Sequence, residues 1–238
     1  MSSRQASFRN LMIASMAEAD FATLEPLLER VHLPLGEEVE KPSRPLEYAY
    51  FLESGLASTI ASMSRGRDIE VGVIGWEGFV GSSLVLWDDE GPFRTYIQIP
   101  GEAFRVPSAA LMELMDHRPQ LRRHLARFTR VLGLQVVSTA WTNGHTVLEN
   151  RLARWLLMVH DRIDGQKLTL THEFLSIMLG VRRPGVTVAL HLLEGKGLIR
   201  SHRSEITIID REGLKRQADG SYGRTEAEYE RLLGWRRR

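Results

Sequence analysis

The hydrophobic period along the chain changes twice before residue 110. Residues 8–30, "FRNLMIASMAEADFATLEPLLER", place apolar side chains three and four apart, as in short amphipathic helices. The period then falls to two. "GEEVEKP", "EYAYFLES", "LASTIASM", "IEVGVIG", "FRTYIQI" and "EAFRVP" are short β-prone runs bounded by Gly, Pro or charged residues. Strands at this spacing predict a closed all-β unit, a jelly roll or barrel. Between the fourth and fifth runs lies "GWEGFVGSSLVLWDDEGP", too long for a hairpin turn, which predicts one helical turn and a binding loop. From Ser108 the helical period returns. Leu121, Leu125, Phe128, Leu132, Gln135, Thr139 and Thr142 fall alternately four and three apart. A heptad seam on a long helix predicts a dimer contact with a second copy; folding over the roll is the competing arrangement. "NGH" at 143–145 ends it, with Gly144 as hinge, and "TVLENRLARWLLMVHDRI" starts a new helix with Val147, Leu152, Leu156 and Val159 on one side.

Residues 171–210, "THEFLSIMLGVRRPGVTVALHLLEGKGLIRSHRSEITIID", carry two short helical patterns separated by a glycine. Thr171 can cap the first, whose buried side is Phe174, Leu175, Met178 and Leu179, and Gly180 can end it in the left-handed region. Pro184 fits the first turn of the second helix. Val186, Ala189, Leu190 and Leu193 then share one face, which turns Pro184, Thr187, Val188 and His191 outward. Two β-prone segments follow, "LIRS" and "EITIID". Helix, tight turn, helix and hairpin describe a winged helix-turn-helix, whose second helix enters the major groove of DNA. Arg182 and Arg183 are then placed for phosphates or a guanine edge, Thr187 for either, and Val188 for a thymine methyl. Thr171 and His172 face the backbone across the groove, and Arg203 meets phosphate from the wing.

Charge sharpens this picture only locally. The net charge is +1, but residues 167–203 hold six Lys or Arg against two Glu. The composition, 43% hydrophobic and 26% charged, is that of a soluble globular protein, and 238 residues suggest two domains. No run approaches a membrane span, and "MSSRQASFRN" lacks the apolar core of a signal peptide; a cytoplasmic protein with no membrane partner is expected. The absence of Cys removes disulfides, thiolate metal sites and cysteine-bound clusters, and no metal site is expected. No nucleophile elbow or phosphate-binding P-loop is present, so the chain is not expected to be an enzyme.

With its β-roll, long helix, "RLARWLL" and "LTLTHEFLSIMLGVRRPGVTVALHLLEGKGLI", the chain resembles the catabolite activator/FNR (Crp/Fnr) family of bacterial transcription regulators. The resemblance covers roughly residues 30–215 and is most specific in residues 151–210. It implies an α+β fold: a cyclic-nucleotide-binding-like roll with N-terminal helices in residues 1–107, a dimerisation helix and hinge in 108–145, a winged helix-turn-helix in 146–222 and a basic tail in 223–238. It further implies a homodimer on a near-palindromic duplex, acting with RNA polymerase. Carried over from cyclic-nucleotide members, the ligand cassette falls on Gly81, Ser82, Ser83, Arg94 and Thr95. Ser82, however, replaces the Glu expected on the ribose, and Val136 and Val137 replace the hydroxyl pair expected on adenine. Cyclic AMP is therefore disfavoured, and no cofactor is assigned. Pro184 and Val188 also depart from the family's Arg-Glu and later Arg, so no target sequence carries over. The alternative is a cyclic-nucleotide or small-molecule module whose helix-turn-helix contacts protein.

Overall fold

The computed structural model describes residues 3–62, 68–203 and 205–235. Two short helices lead in, α1 (Leu11–Ser15) and α2 (Glu18–Leu24). Asn10 caps α1 by accepting from the Ile13 N–H, and its amide donates to the carbonyls of Leu52 and Gly78, so the helix is tied to the roll behind it. Eight strands follow: β1 (Glu29–Leu33), β2 (Glu38–Glu40), β3 (Tyr48–Leu52), β4 (Leu56–Ser62), β5 (Asp68–Ile74), β6 (Phe79–Val80), β7 (Arg94–Ile99) and β8 (Gly101–Pro107). They form two antiparallel four-stranded sheets, ordered β1-β8-β3-β6 and β2-β7-β4-β5. Leu33, Ala49, Phe51, Ala57, Ile74, Phe79, Ile97 and Ala103 fill the space between them. The helical stretch expected over residues 8–30 ends sooner, because Glu29 and Arg30 already pair along β8 as the start of β1. The expected turn after β6 is a 3-10 turn, Ser82–Leu86.

Helix α3 (Ser108–His117) leaves the roll and breaks at Arg118, because a residue preceding proline is disfavoured in the α region. Helix α4 (Pro119–His145) then runs without interruption, through Gly144, to Thr146. The break therefore falls two residues after the expected hinge, Gly144.

The heptad seam expected to meet a second copy points the other way. Leu121, Leu125 and Phe128 have no exposed surface and belong to the core of the protomer's own roll. The Phe128 ring lies 5.3 Å from Phe79, and a Cβ on Gly78 would come within 2.1 Å of it. Leu132 reaches Gly72, and Gln135 bonds the edge of β5, accepting from Val73 N–H at 2.6 Å and donating to its carbonyl at 3.2 Å. Thr139 accepts from Arg154. The period was sound, but apolar area is satisfied by the nearest apolar surface, and here that is the adjoining sheet.

The second half contains α5 (Leu148–His160), β9 (Lys167–Thr169), α6 (His172–Leu179), α7 (Arg183–Gly195), β10 (Ile199–His202), β11 (Glu205–Ile208), α8 (Arg211–Gln217) and α9 (Arg224–Leu233). Leu152, Leu156 and Val159 bury one side of α5, while Val147 precedes the helix and is exposed. The segment expected to be a basic tail, residues 223–238, holds α9, packed along α4, with Tyr229 and Trp235 buried beside the roll. Arg236 to Arg238 lie outside the described residues.

Buried polar contacts join the halves. Arg162, just beyond α5, donates to Glu77 at 2.7 Å, with 2% and 0% of their side chains exposed, and Tyr229 and Trp235 cover its guanidinium. Trp155 of α5 donates to the Glu70 carboxyl of β5 at 2.6 Å. Burial pushes the Glu70 carboxyl up to about 8 from 4.5.

Two outcomes are expected. Gly78→Ala forces the Phe128 ring away and lowers stability by about 1–3 kcal/mol in denaturant unfolding; an unchanged midpoint would contradict the packing of α4 on the roll. For Glu70, the native state holds a proton that the unfolded chain has lost between about pH 4.5 and 8. Its contribution is full below that window and is lost as pH rises through it. Glu70→Gln, which keeps the acceptor for Trp155, should flatten the urea midpoint across this range relative to wild type, and parallel profiles would refute the assignment.

Candidate nucleic-acid interface

Thr171 has extended backbone, and its hydroxyl accepts from the Phe174 N–H at 3.1 Å to start α6. Leu175, Met178 and Leu179 are buried beneath that helix, and half-buried Phe174 meets Tyr96 of the roll edge-on at 6.0 Å. Gly180 ends it at φ +60°, with its own N–H and that of Val181 bonded to the carbonyls of Ile177 and Ser176. A Cβ at Gly180 would lie 3.0 Å from Ile69 of β5. Glycine thus supplies both the left-handed turn and the close approach to the roll.

Helix α7 opens at Arg183 with Pro184 in its first turn and Arg182 at the cap position. Val186, Ala189, Leu190 and Leu193 are buried against α5 and α6, which fixes the rotation of the helix. The opposite side is open: Arg182, Arg183, Pro184, Val188 and His191 are exposed, and Thr187 is half-exposed. Thr187 Oγ1 lies 3.2 Å from His172 Nδ1, which ties the outward edges of α6 and α7 together. Arg183 forms an ion pair with Glu173 at 2.5 Å, both side chains more than half exposed. The guanidinium is therefore tied to the first turn of α6 by a partner that solvent screens.

The hairpin of β10 and β11 is extended by β9 into a three-stranded antiparallel sheet. Glu194 of α7 accepts from the Ser201 N–H at 3.0 Å, locking the wing to the outward helix. Arg203 stands at the wing tip at φ 44° and is exposed; Ser204 lies outside the described residues. Exposed Leu192 and Arg200 extend the same surface and were not picked out by the sequence pattern. Leu192 follows the outward turn His191 and could have been found by rotating 100° per residue along α7.

The ligand cassette is split. A cavity of about 410 Å³ lies between the β2-β7-β4-β5 sheet and α4, and Ser82 and Ser83 line it. Gly81, at φ +102°, packs against Leu46 instead. Arg94 is drawn to Asp68 and Glu38 and lies 5.9 Å from the Tyr96 ring, away from the cavity. Thr95 is fully buried, donating to Glu40 at 2.6 Å and meeting Thr59 at 3.0 Å. Among the described residues the lining includes Glu40 and Asp88 and no Lys or Arg. Among the described residues the lining offers no cation for the phosphate of a cyclic nucleotide. Two strand-borne residues expected to face one ligand are thus each satisfied by a protein carboxylate. Among the described residues no group of three or more His, Asp or Glu could hold a metal, and no helix is long and apolar enough to cross a membrane.

Residues 150–217 match the Crp-like helix-turn-helix domain. A curated relative, the global nitrogen regulator of Synechococcus elongatus, is 26% identical over 192 residues, covering 76% of this chain and 86% of the relative. Among solved structures, a transcriptional regulator of the Crp/FNR family from Eubacterium rectale superposes with a TM-score of 0.69 at 17% identity, covering 86% of this chain and 96% of that one. FixK2 from Bradyrhizobium japonicum gives 0.68 at 19% identity, covering 80% and 96%. Residues 150–217 are therefore a Crp-like helix-turn-helix domain, and the chain shares the fold of these solved structures.

Proposed function

We propose that the protein is a homodimeric, sequence-specific DNA-binding transcription regulator of the cytoplasm whose roll senses a small molecule. The observation that carries this reading is the open side of α7. It begins with two arginines, presents Thr187, Val188, His191 and Leu192 in succession, and is flanked by a wing carrying Arg200 and Arg203. A surface of cations around a short polar and apolar strip suits a major groove, where phosphates position and base edges specify. In this reading Arg182, Arg203, Thr171 and His172 meet the backbone, Arg183 releases Glu173 to reach a guanine or phosphate, and Val188 touches a thymine methyl. Residues 1–107 are the sensor, 108–145 the dimer helix and 146–222 the DNA-binding domain. RNA polymerase is the partner on which such a regulator acts.

The dimer face moves with the seam. Along the exposed side of α4, Arg130, Gly133, Val137, Ala140 and Gly144 fall alternately three and four apart. Val137 is 65% exposed and Trp141 51%, and neither Gly133 nor Gly144 has a neighbour where a Cβ would stand. Small residues at heptad spacing permit close approach of a second α4, and Val137 and Trp141 supply apolar area.

Two measurements test the reading. Duplex affinity should fall steeply with salt, and Arg182→Ala should reduce the slope of log K against log salt by about one. Arg183→Ala should cost about 1–3 kcal/mol at the preferred site and relax its sequence preference. If both variants bind every duplex as wild type does, the DNA reading fails. Val137→Glu should convert the dimer to monomer in sedimentation while leaving the unfolding midpoint of the monomer in place; an undisturbed dimer would refute the outward seam.

A further inference from the structure

The cavity beside α4 has a chemistry of its own. Its apolar lining is Ala61, Val71, Ile74, Phe93, Leu132 and Val136. Its polar lining is Glu40 and Asp88 with the hydroxyl residues Thr59, Ser82, Ser83 and Thr129. One Glu40 oxygen accepts from Thr95, and among the described residues no Lys or Arg is ion-paired with the carboxylate. Burial raises the Glu40 carboxyl above its usual range, and the charge of Asp88 adds to this while the Thr95 hydroxyl opposes it. A carboxylate in that position is a group whose charged form gains most from an incoming cation.

We propose that this cavity is a binding site for a small amphipathic amine, its apolar body against Ile74, Phe93, Leu132 and Val136 and its ammonium on Glu40. The inference rests on the reading of the roll as a sensor and names the ligand class of that site. The volume of about 410 Å³ is within the range of small-molecule sites. An ammonium donates three hydrogen bonds, and Glu40, Asp88 and the Ser82 and Ser83 hydroxyls can accept them. An anion would instead meet two carboxylates, and desolvating it there has no compensation. The same wall carries Leu132, Gly133 and Val136 of α4, so an occupant touches the long helix directly. Binding at the roll and the geometry of α4 are coupled by that shared surface.

The test uses the full chain and three probes of nearly equal shape and different head group: 2-phenylethylamine, 2-phenylethanol and phenylacetate, with cyclic AMP as a fourth. Calorimetry and thermal unfolding should show the amine binding about tenfold or more tightly than the alcohol, the charge-assisted contribution, with no shift from phenylacetate or cyclic AMP. Glu40→Gln should bring the amine level with the alcohol. Glu40 is largely buried, so Asp88→Asn on the exposed loop is the second variant, and it should weaken the amine by a smaller factor without affecting the fold. An amine that binds no better than the alcohol, an amine indifferent to both variants, or tighter binding of phenylacetate or cyclic AMP would each overturn the proposal. Duplex binding measured on the same preparation separates the two readings. Intact duplex binding without amine selectivity rejects only the ligand class, whereas loss of duplex binding with amine selectivity retained rejects only the DNA reading.

Discussion

The buried pair of Arg162 and Glu77 is the constraint on which the rest of the molecule depends. Two charges taken out of water are expensive, and removing one partner of such a pair costs about 3–5 kcal/mol because the other is left uncompensated. The fold surrounds the pair accordingly. Glu77 sits in the turn between β5 and β6, and its carboxylate also accepts from the Gly75 N–H. Arg162 comes from the end of α5, donates additionally to the Met158 carbonyl, and lies against the rings of Tyr229 and Trp235. Those rings are placed by α9, which is itself aligned by Gln135 and Ser138 of α4. A residue of the roll, a residue of the helix-turn-helix half and the C-terminal helix therefore hold one another. The matched helix-turn-helix domain ends at residue 217, so α9 and Trp235 are structure added beyond it.

This junction gives the recognition elements their orientation. Helix α5 carries Arg162 at one end and buries α7 along its side, and Gly180 brings the turn of the motif against Ile69 of β5. The β2-β7-β4-β5 sheet thus touches the turn that leads into Arg182 and Arg183. The outward face of α7 and the cavity of the roll are opposite in charge. The outward side of α7 and the wing is rich in arginine, while the cavity in the roll holds carboxylates and keeps Arg94 outside by pairing it with Asp68.

The helix-turn-helix was legible residue by residue because every signal in it is local. Thr171 caps its own helix, Gly180 supplies its own φ, and the core face of α7 repeats within two turns. The strands of the roll were legible for the same reason. What the sequence did not disclose depends on partners distant along the chain. The seam from Leu121 to Gln135 has the period of a dimer helix, and only the position of Phe79 and Gly78 shows that its apolar face is already occupied. Arg94 and Thr95 stand at the right places in the pattern, yet Asp68 and Glu40 claim them from other strands. Trp235, in a run of arginines, looked like part of a tail until Trp76 and Tyr229 closed around it.

Footprinting of the full-length protein on genomic duplex tests the central claim most directly. The account predicts protection of two related half-sites in inverted orientation, centred about one or a small whole number of helical turns apart, with major-groove guanine and thymine positions shielded in each. Protection that follows base composition with no repeated half-site, or no protection at any duplex, would contradict it.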